Sequence, residues 1–82
     1  MNDMILADKL YKLRTNCGLS QEEVAEKMNV SRQSVSKWES GNSIPGLDKI
    51  VDLAKLYNVS TDYLLLDEIE ELPEDVVVDT YE

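Results

Sequence analysis

Ser20-Gln21-Glu22-Glu23-Val24-Ala25-Glu26-Lys27-Met28-Asn29-Val30-Ser31-Arg32-Gln33-Ser34-Val35-Ser36-Lys37-Trp38-Glu39-Ser40-Gly41 is the stretch on which the fold turns. Ser20 with Glu23 three positions later is a capping box, in which the hydroxyl takes a first-turn amide and the carboxylate reaches back. A helix therefore opens at Gln21. Val24, Ala25 and Met28 follow at helical spacing and form its inward face. Asn29 tolerates the left-handed conformation that ends a helix. Ser31 caps a further helix running from Arg32 to about Ser40, with Val35 and Trp38 inward and Gly41 closing it.

Two short helices joined by so brief a turn predict a helix-turn-helix, whose second helix buries one face and offers the other to a groove. Residues 32–40 suit that division, because Val35 and Trp38 go in while Arg32, Gln33, Ser36 and Lys37 can face out. At ~1.5 Å per residue this helix spans roughly 13 Å, close to the ~12 Å width of a B-DNA major groove. Arginine is suited to guanine, glutamine to adenine and serine to either.

Outward from this pair the pattern stays helical. Leu6, Leu10, Leu13 and Cys17 form the stripe of a first helix that Gly18 terminates. On that stripe Cys17 reads as a small buried hydrophobe. Asn42-Ser43-Ile44-Pro45-Gly46 has turn composition. Leu47, Ile50, Val51, Ala54 and Tyr57 then make the inward stripe of a fourth helix, for which Gly46 is a serviceable but weak cap. Ser60 caps a short fifth helix from Thr61 to about Leu65. Residues 1–65 carry no strand signal, and the fold class is all-α.

Over about residues 6–65, and not over 67–82, the chain resembles the phage-repressor (Cro/cI-type, xenobiotic-response-element) helix-turn-helix family. The resemblance rests on Leu10-Tyr11-Lys12-Leu13-Arg14, on Gly18 to Ala25, on Val30 to Gly41, and on Pro45, Leu47-Asp48-Lys49-Ile50, Leu53-Ala54 and Tyr57 to Leu65. It implies a five-helix lambda-repressor-like DNA-binding domain acting as a homodimer on an inverted-repeat operator. By position, Gln21 matches a phosphate contact at the start of the second helix. Arg32, Gln33, Ser34, Ser36 and Lys37 match positions that look into the major groove, and Ser40, Gly41 and Asn42 match a phosphate-contacting stretch. Lys12 is a further candidate for the DNA backbone. Arg14 and Glu39 match a structural ion pair that clamps the first helix to the third. Asn29 stands where the family usually has a turn glycine, and Gly46 where it usually has a Ser or Thr cap.

Composition narrows the alternatives. The 82 residues suit one small domain. With one cysteine and no histidine, an internal disulfide, a Cys/His zinc site and a His-based triad are all excluded. No run of apolar residues approaches the ~20 that a membrane helix needs, and the start lacks the pattern of a signal peptide. The expectation is a cytoplasmic, non-enzymatic binding module with no metal and no cofactor. The formal charge of −9 argues against a nucleic-acid partner only until it is divided along the chain. Residues 1–65 hold all 8 basic residues and 9 acidic ones, whereas residues 66–82 hold 8 acidic residues and no base. A boundary near Leu66 thus separates a helix-turn-helix domain over 1–66 from an acidic tail or linker over 67–82.

That tail reads as solvated linker, as an anionic competitor for the DNA-facing groove, or, through Val76-Val77-Val78, as an edge strand that pairs with another chain. Its carboxylates lack the spacing and glycine of an EF-hand. Leu64-Leu65-Leu66 offers another candidate dimer patch. The sequence therefore predicts a sequence-specific transcriptional regulator, a repressor, reading double-stranded DNA with helix 32–40. The alternative is a protein-interaction module, such as an antitoxin or adaptor, built on the same fold.

Overall fold

Three serines and one recurring arrangement organise the chain. A computed structural model describes residues 3–66. Over them the helices are α1 (Asp3–Asn16), α2 (Gln21–Met28), α3 (Arg32–Ser40), α4 (Leu47–Tyr57) and α5 (Thr61–Leu65). Ser20, Ser31 and Ser60 each hold extended backbone, and each side chain accepts the amide of the third helical residue, Glu23, Ser34 and Tyr63 respectively. At Ser20 the capping box is complete, since Glu23 Oε1 accepts the Ser20 amide at 2.7 Å.

Each of these caps has an apolar residue before it and another five positions further on. The pairs are Leu19 with Val24, Val30 with Val35, and Val59 with Leu64, and every member is buried or packed against the core. This is the spacing of the hydrophobic staple, which sets the angle at which the chain enters a helix. Local chemistry thereby aims α2, α3 and α5 before tertiary packing completes them.

The core joins Leu6, Leu10 and Leu13 of α1 to Val24 and Met28 of α2, Val35 and Trp38 of α3, Ile50 and Leu53 of α4, and Leu64 of α5. α3 packs on both α1 and α2, while α4 lies against α2 and α5, and α5 returns to α1. Each fully buried Leu, Ile or Val is worth ~1.5–3 kcal/mol, so α3 is held by its apolar face with its other face left open. Among the described residues there is no strand, and no helix is long and apolar enough to cross a membrane.

Two burial expectations fail. Cys17 is exposed, because α1 ends at Asn16 and Cys17 already belongs to the turn, where the helical projection from Leu13 no longer holds. Its amide closes that turn on the carbonyls of Leu13 and Arg14. Leu47 is 70% exposed: as the first residue of α4 it precedes the buried part of the helix, whose inward set is Ile50, Leu53, Ala54 and Tyr57. Leu53 is fully inward where the stripe places Val51, which is only half-buried. Every expectation placed on residues 67–82 lies outside the described residues.

Candidate nucleic-acid interface

Helix α3 follows α2 through Asn29, whose φ of 58° and ψ of 46° place it in the left-handed region. Its amide returns to the carbonyls of Ala25 and Glu26, and Val30 bonds Ala25 as well, so the turn is saturated with hydrogen bonds. Asparagine is among the few non-glycine residues that adopt this conformation readily, which explains how it serves where a glycine was expected.

On α3 itself, Val35 and Trp38 are buried while Arg32, Gln33 and Lys37 are exposed. Ser34 and Ser36 are half-buried. The Ser34 hydroxyl lies 3.1 Å from that of Ser31 and so belongs partly to the cap. The only carboxylate on the helix, Glu39, is turned away from this surface. Its Oε2 accepts from Arg14 Nε at 2.7 Å, with side-chain exposures of 6% for Glu39 and 13% for Arg14. Arg14 Nη1 also donates to the Leu19 carbonyl at 2.8 Å, and its guanidinium lies 5.5 Å from the Tyr11 ring centre. The hydrogen bond to Glu39 is the main cause raising the Arg14 pKa above its ordinary value.

Gln21 links this buried pair to the outward face. Its Nε2 donates to Glu39 Oε1 at 3.1 Å, and its Oε1 accepts from Arg32 Nη1 at 3.3 Å. A carboxylate only accepts, so Glu39 dictates which end of the Gln21 amide points inward and leaves the carbonyl oxygen for Arg32. The structure thus brings Arg14, Glu39, Gln21 and Arg32 into one hydrogen-bonded chain. Beside it lies a cleft of about 590 Å³ lined by Arg14, Ser20, Gln21, Glu22 and Arg32. It opens at the start of α2, where amide groups and the helix dipole favour an anion.

At the far end of α3 the amides of Gly41, Asn42 and Ser43 all converge on the Lys37 carbonyl. The Ser40 hydroxyl donates to that carbonyl too, at 3.2 Å. Those backbone donors are committed internally, and the exposed Ser40 and Asn42 side chains are what this stretch presents outward, the Ser40 hydroxyl already donating to Lys37. Lys12 sits on α1 in an exposed pair with Asp8 at 3.1 Å.

Sequence reasoning passed over Lys9. It is 3% exposed, donates to the carbonyls of Tyr63 at 2.6 Å and Leu66 at 2.8 Å, and lies 4.7 Å from the Tyr63 ring centre. A cation there meets the negative end of α5. The signal was available, since position 9 falls on the same helical stripe as Leu6 and Leu13; a lysine on an apolar face needs a buried partner.

The helix-turn-helix family model matches residues 10–64. The chain is 43% identical over 58 residues to the HTH-type transcriptional activator BcrR of Enterococcus faecalis, covering 71% of this chain and 28% of that protein. It is 42% identical over 62 residues to the HTH-type transcriptional regulator ImmR of Bacillus subtilis, covering 76% and 49%. It is 33% identical over 63 residues to the cryptic phage CTXphi transcriptional repressor RstR of Vibrio cholerae, covering 77% and 57%. The chain thus spans between about a quarter and a little over half of the length of these relatives.

Proposed function

Because this chain belongs to the helix-turn-helix family, we propose that it is a DNA-binding transcriptional regulator whose α3 reads the major groove. The observation that carries this reading is the outward face of α3. It presents Arg32, Gln33 and Lys37 to solvent, while the helix's one carboxylate is sealed beneath by Arg14. A groove-reading helix needs donors free of intramolecular anions, and this face provides them.

Gln21, the Asn42 side chain and Lys12 set position on the phosphates; Arg32, Gln33 and Lys37 select bases, with Ser36 at the margin. The domain ends near Leu66 and acts in the cytoplasm as a homodimer, placing two α3 helices in successive major grooves ~34 Å apart on an inverted repeat. It represses, because occupying an operator is enough to block it; the relatives carry both names, BcrR that of an activator and RstR that of a repressor. With so few cations, each subunit neutralises about two to four phosphates, giving a shallow salt dependence.

Selection of bound sequences from a random duplex pool tests the reading. The expected result is an enriched inverted repeat with half-sites about one helical turn apart. Arg32→Ala should then cost ~1–3 kcal/mol on the selected site and relax the preference at one base pair. No enrichment, together with a stable complex with another protein that survives loss of Arg32 and Gln33, would replace this reading with a protein-interaction module.

A further inference from the structure

The cations of the described residues are not alike. Lys12 pairs with Asp8 at 3.1 Å, and Arg14 with Glu39 at 2.7 Å. Lys27 has Glu23 four residues before it on α2, and Lys49 and Lys55 each have Asp52 three residues away on α4. Residues at those spacings are neighbours on a helix surface. Arg32 and Lys37 differ, since their neighbours at three and four positions along the chain are Met28, Asn29, Val35 and Ser36 for the first, and Gln33, Ser34, Ser40 and Gly41 for the second. Among the described residues neither stands within ion-pair distance of a carboxylate, and the same holds of Lys27, Lys49 and Lys55. What sets Arg32, which bonds the neutral Gln21, and Lys37 apart is that both lie on one exposed helix face with no carboxylate at helix-neighbour spacing.

The unanswered charge lies in residues 67–82, which hold 8 acidic residues and no base. Their attachment point is fixed, because Lys9 holds the Leu66 carbonyl at 2.8 Å. Sixteen residues at ~3.3 Å each reach ~50 Å. The described residues extend 32 Å along their longest axis, so no part of α3 is beyond reach.

We propose that the outward face of α3 is a docking surface for the chain's own acidic segment 67–82, which competes with DNA for Arg32 and Lys37. The proposal rests on the reading of α3 as the DNA-facing helix and adds a regulator to it. Each exposed ion pair is weak, but the tether supplies an effective concentration in the ~mM range. DNA outcompetes the segment only where base contacts add to phosphate contacts. Docking therefore suppresses random-sequence binding more than operator binding. Because screening acts over ~10 Å at about 0.1 M salt, the effect belongs to low ionic strength.

The test compares the full chain with a full-length variant carrying D67N, E68Q, E70Q, E71Q, E74Q, D75N, D79N and E82Q. Without DNA, amide chemical shifts of residues 32–37 should differ between the two proteins at about 20 mM salt and coincide at about 0.5 M. R32Q with K37Q should abolish that difference. Coincident spectra at low salt overturn the proposal, as does a difference that survives R32Q with K37Q. Shifts that grow with protein concentration also overturn it, because they place the contact between chains. On random-sequence duplex at low salt the neutralised variant should bind about tenfold more tightly, with the gap closing as salt rises. An equal affinity for the two proteins would overturn competition. If neither protein bound any duplex, the assignment of α3 to DNA would fall while the spectra still reported docking.

Discussion

The chain turns twice through the same three residues, Asn29-Val30-Ser31 between α2 and α3 and Asn58-Val59-Ser60 between α4 and α5. The two asparagines share a φ of 58°, with ψ of 46° and 45°. The serines after them have φ and ψ of −79° and 154° in the first turn, −78° and 156° in the second. Val30 bonds the Ala25 carbonyl at 2.9 Å, as Val59 bonds that of Ala54 at 3.0 Å. The helices beyond these turns nevertheless serve different ends. α3 has nine residues and an open polar face, whereas α5 has five, buries Tyr63 and Leu64, and ends under the Lys9 ammonium. The turn is a construction element indifferent to function. The helix that leaves it decides whether a surface or a prop results.

The largest expected effects come from cutting what fastens each helix to α1. Glu39→Ala leaves the part-buried Arg14 guanidinium without its carboxylate, though still bonded to the Leu19 carbonyl, and should cost ~3 kcal/mol in urea unfolding. At the second unit, Lys9→Met removes charged donors from two carbonyls but also removes a buried charge, so ~1–3 kcal/mol is expected. If Lys9→Met proved the costlier, α5 rather than α3 would be the more strongly fastened helix.

The turns themselves should be equal. Alanine strains the left-handed region by ~1–2 kcal/mol relative to residues that tolerate it. Asn29→Ala and Asn58→Ala should therefore lower stability by about 1 kcal/mol each, read as shifts in the urea midpoint with an unchanged slope. A gap above about 0.5 kcal/mol between them would show that one turn carries tertiary strain that its dihedral angles do not reveal.

Asn29, Ser31 and Ser60 were legible in the sequence, because Asn and Ser act through their own backbone neighbours, and Asn58 carries the same signal although the reading passed over it. The five helices and most of the core emerged from the same local rules together with periodicity. The reading passed over the burial of Lys9 and Leu53 inside helices, and its two wrong burial assignments fell at an element's end. Cys17 and Leu47 continue a stripe on paper but sit just past or at a terminus, where no neighbour covers them. The site divided along similar lines. Exposure of Gln33 and Lys37 stems from their lying away from Val35 and Trp38, and that of Arg32 from its place on the flank at the first turn of α3. The bond from Gln21 to Glu39 joins residues 18 apart in sequence and depends on how α2 and α3 cross, which no local rule supplies. The inward commitment of the amides after α3 likewise depends on the chain's course beyond Gly41.

The smallest expected effect concerns the one helix from α2 to α5 without a side-chain cap. Gly46 precedes α4 with φ of −64° and ψ of 167°, the conformation the three capping serines share, yet it offers no hydroxyl. Gly46→Ser should give α4 the start its neighbours have and restrict the unfolded chain, raising stability by about 0.5 kcal/mol. A Cβ there would come within 3.1 Å of the Asp48 Oδ1, the far end of a flexible and exposed side chain. A few tenths of an ångström of movement relieves that approach. A raised thermal midpoint would extend the equivalence of the caps to a third junction. A lowered one would mean that Asp48 is fixed in place, its carboxylate already serving the first turn of α4 in the manner of a cap.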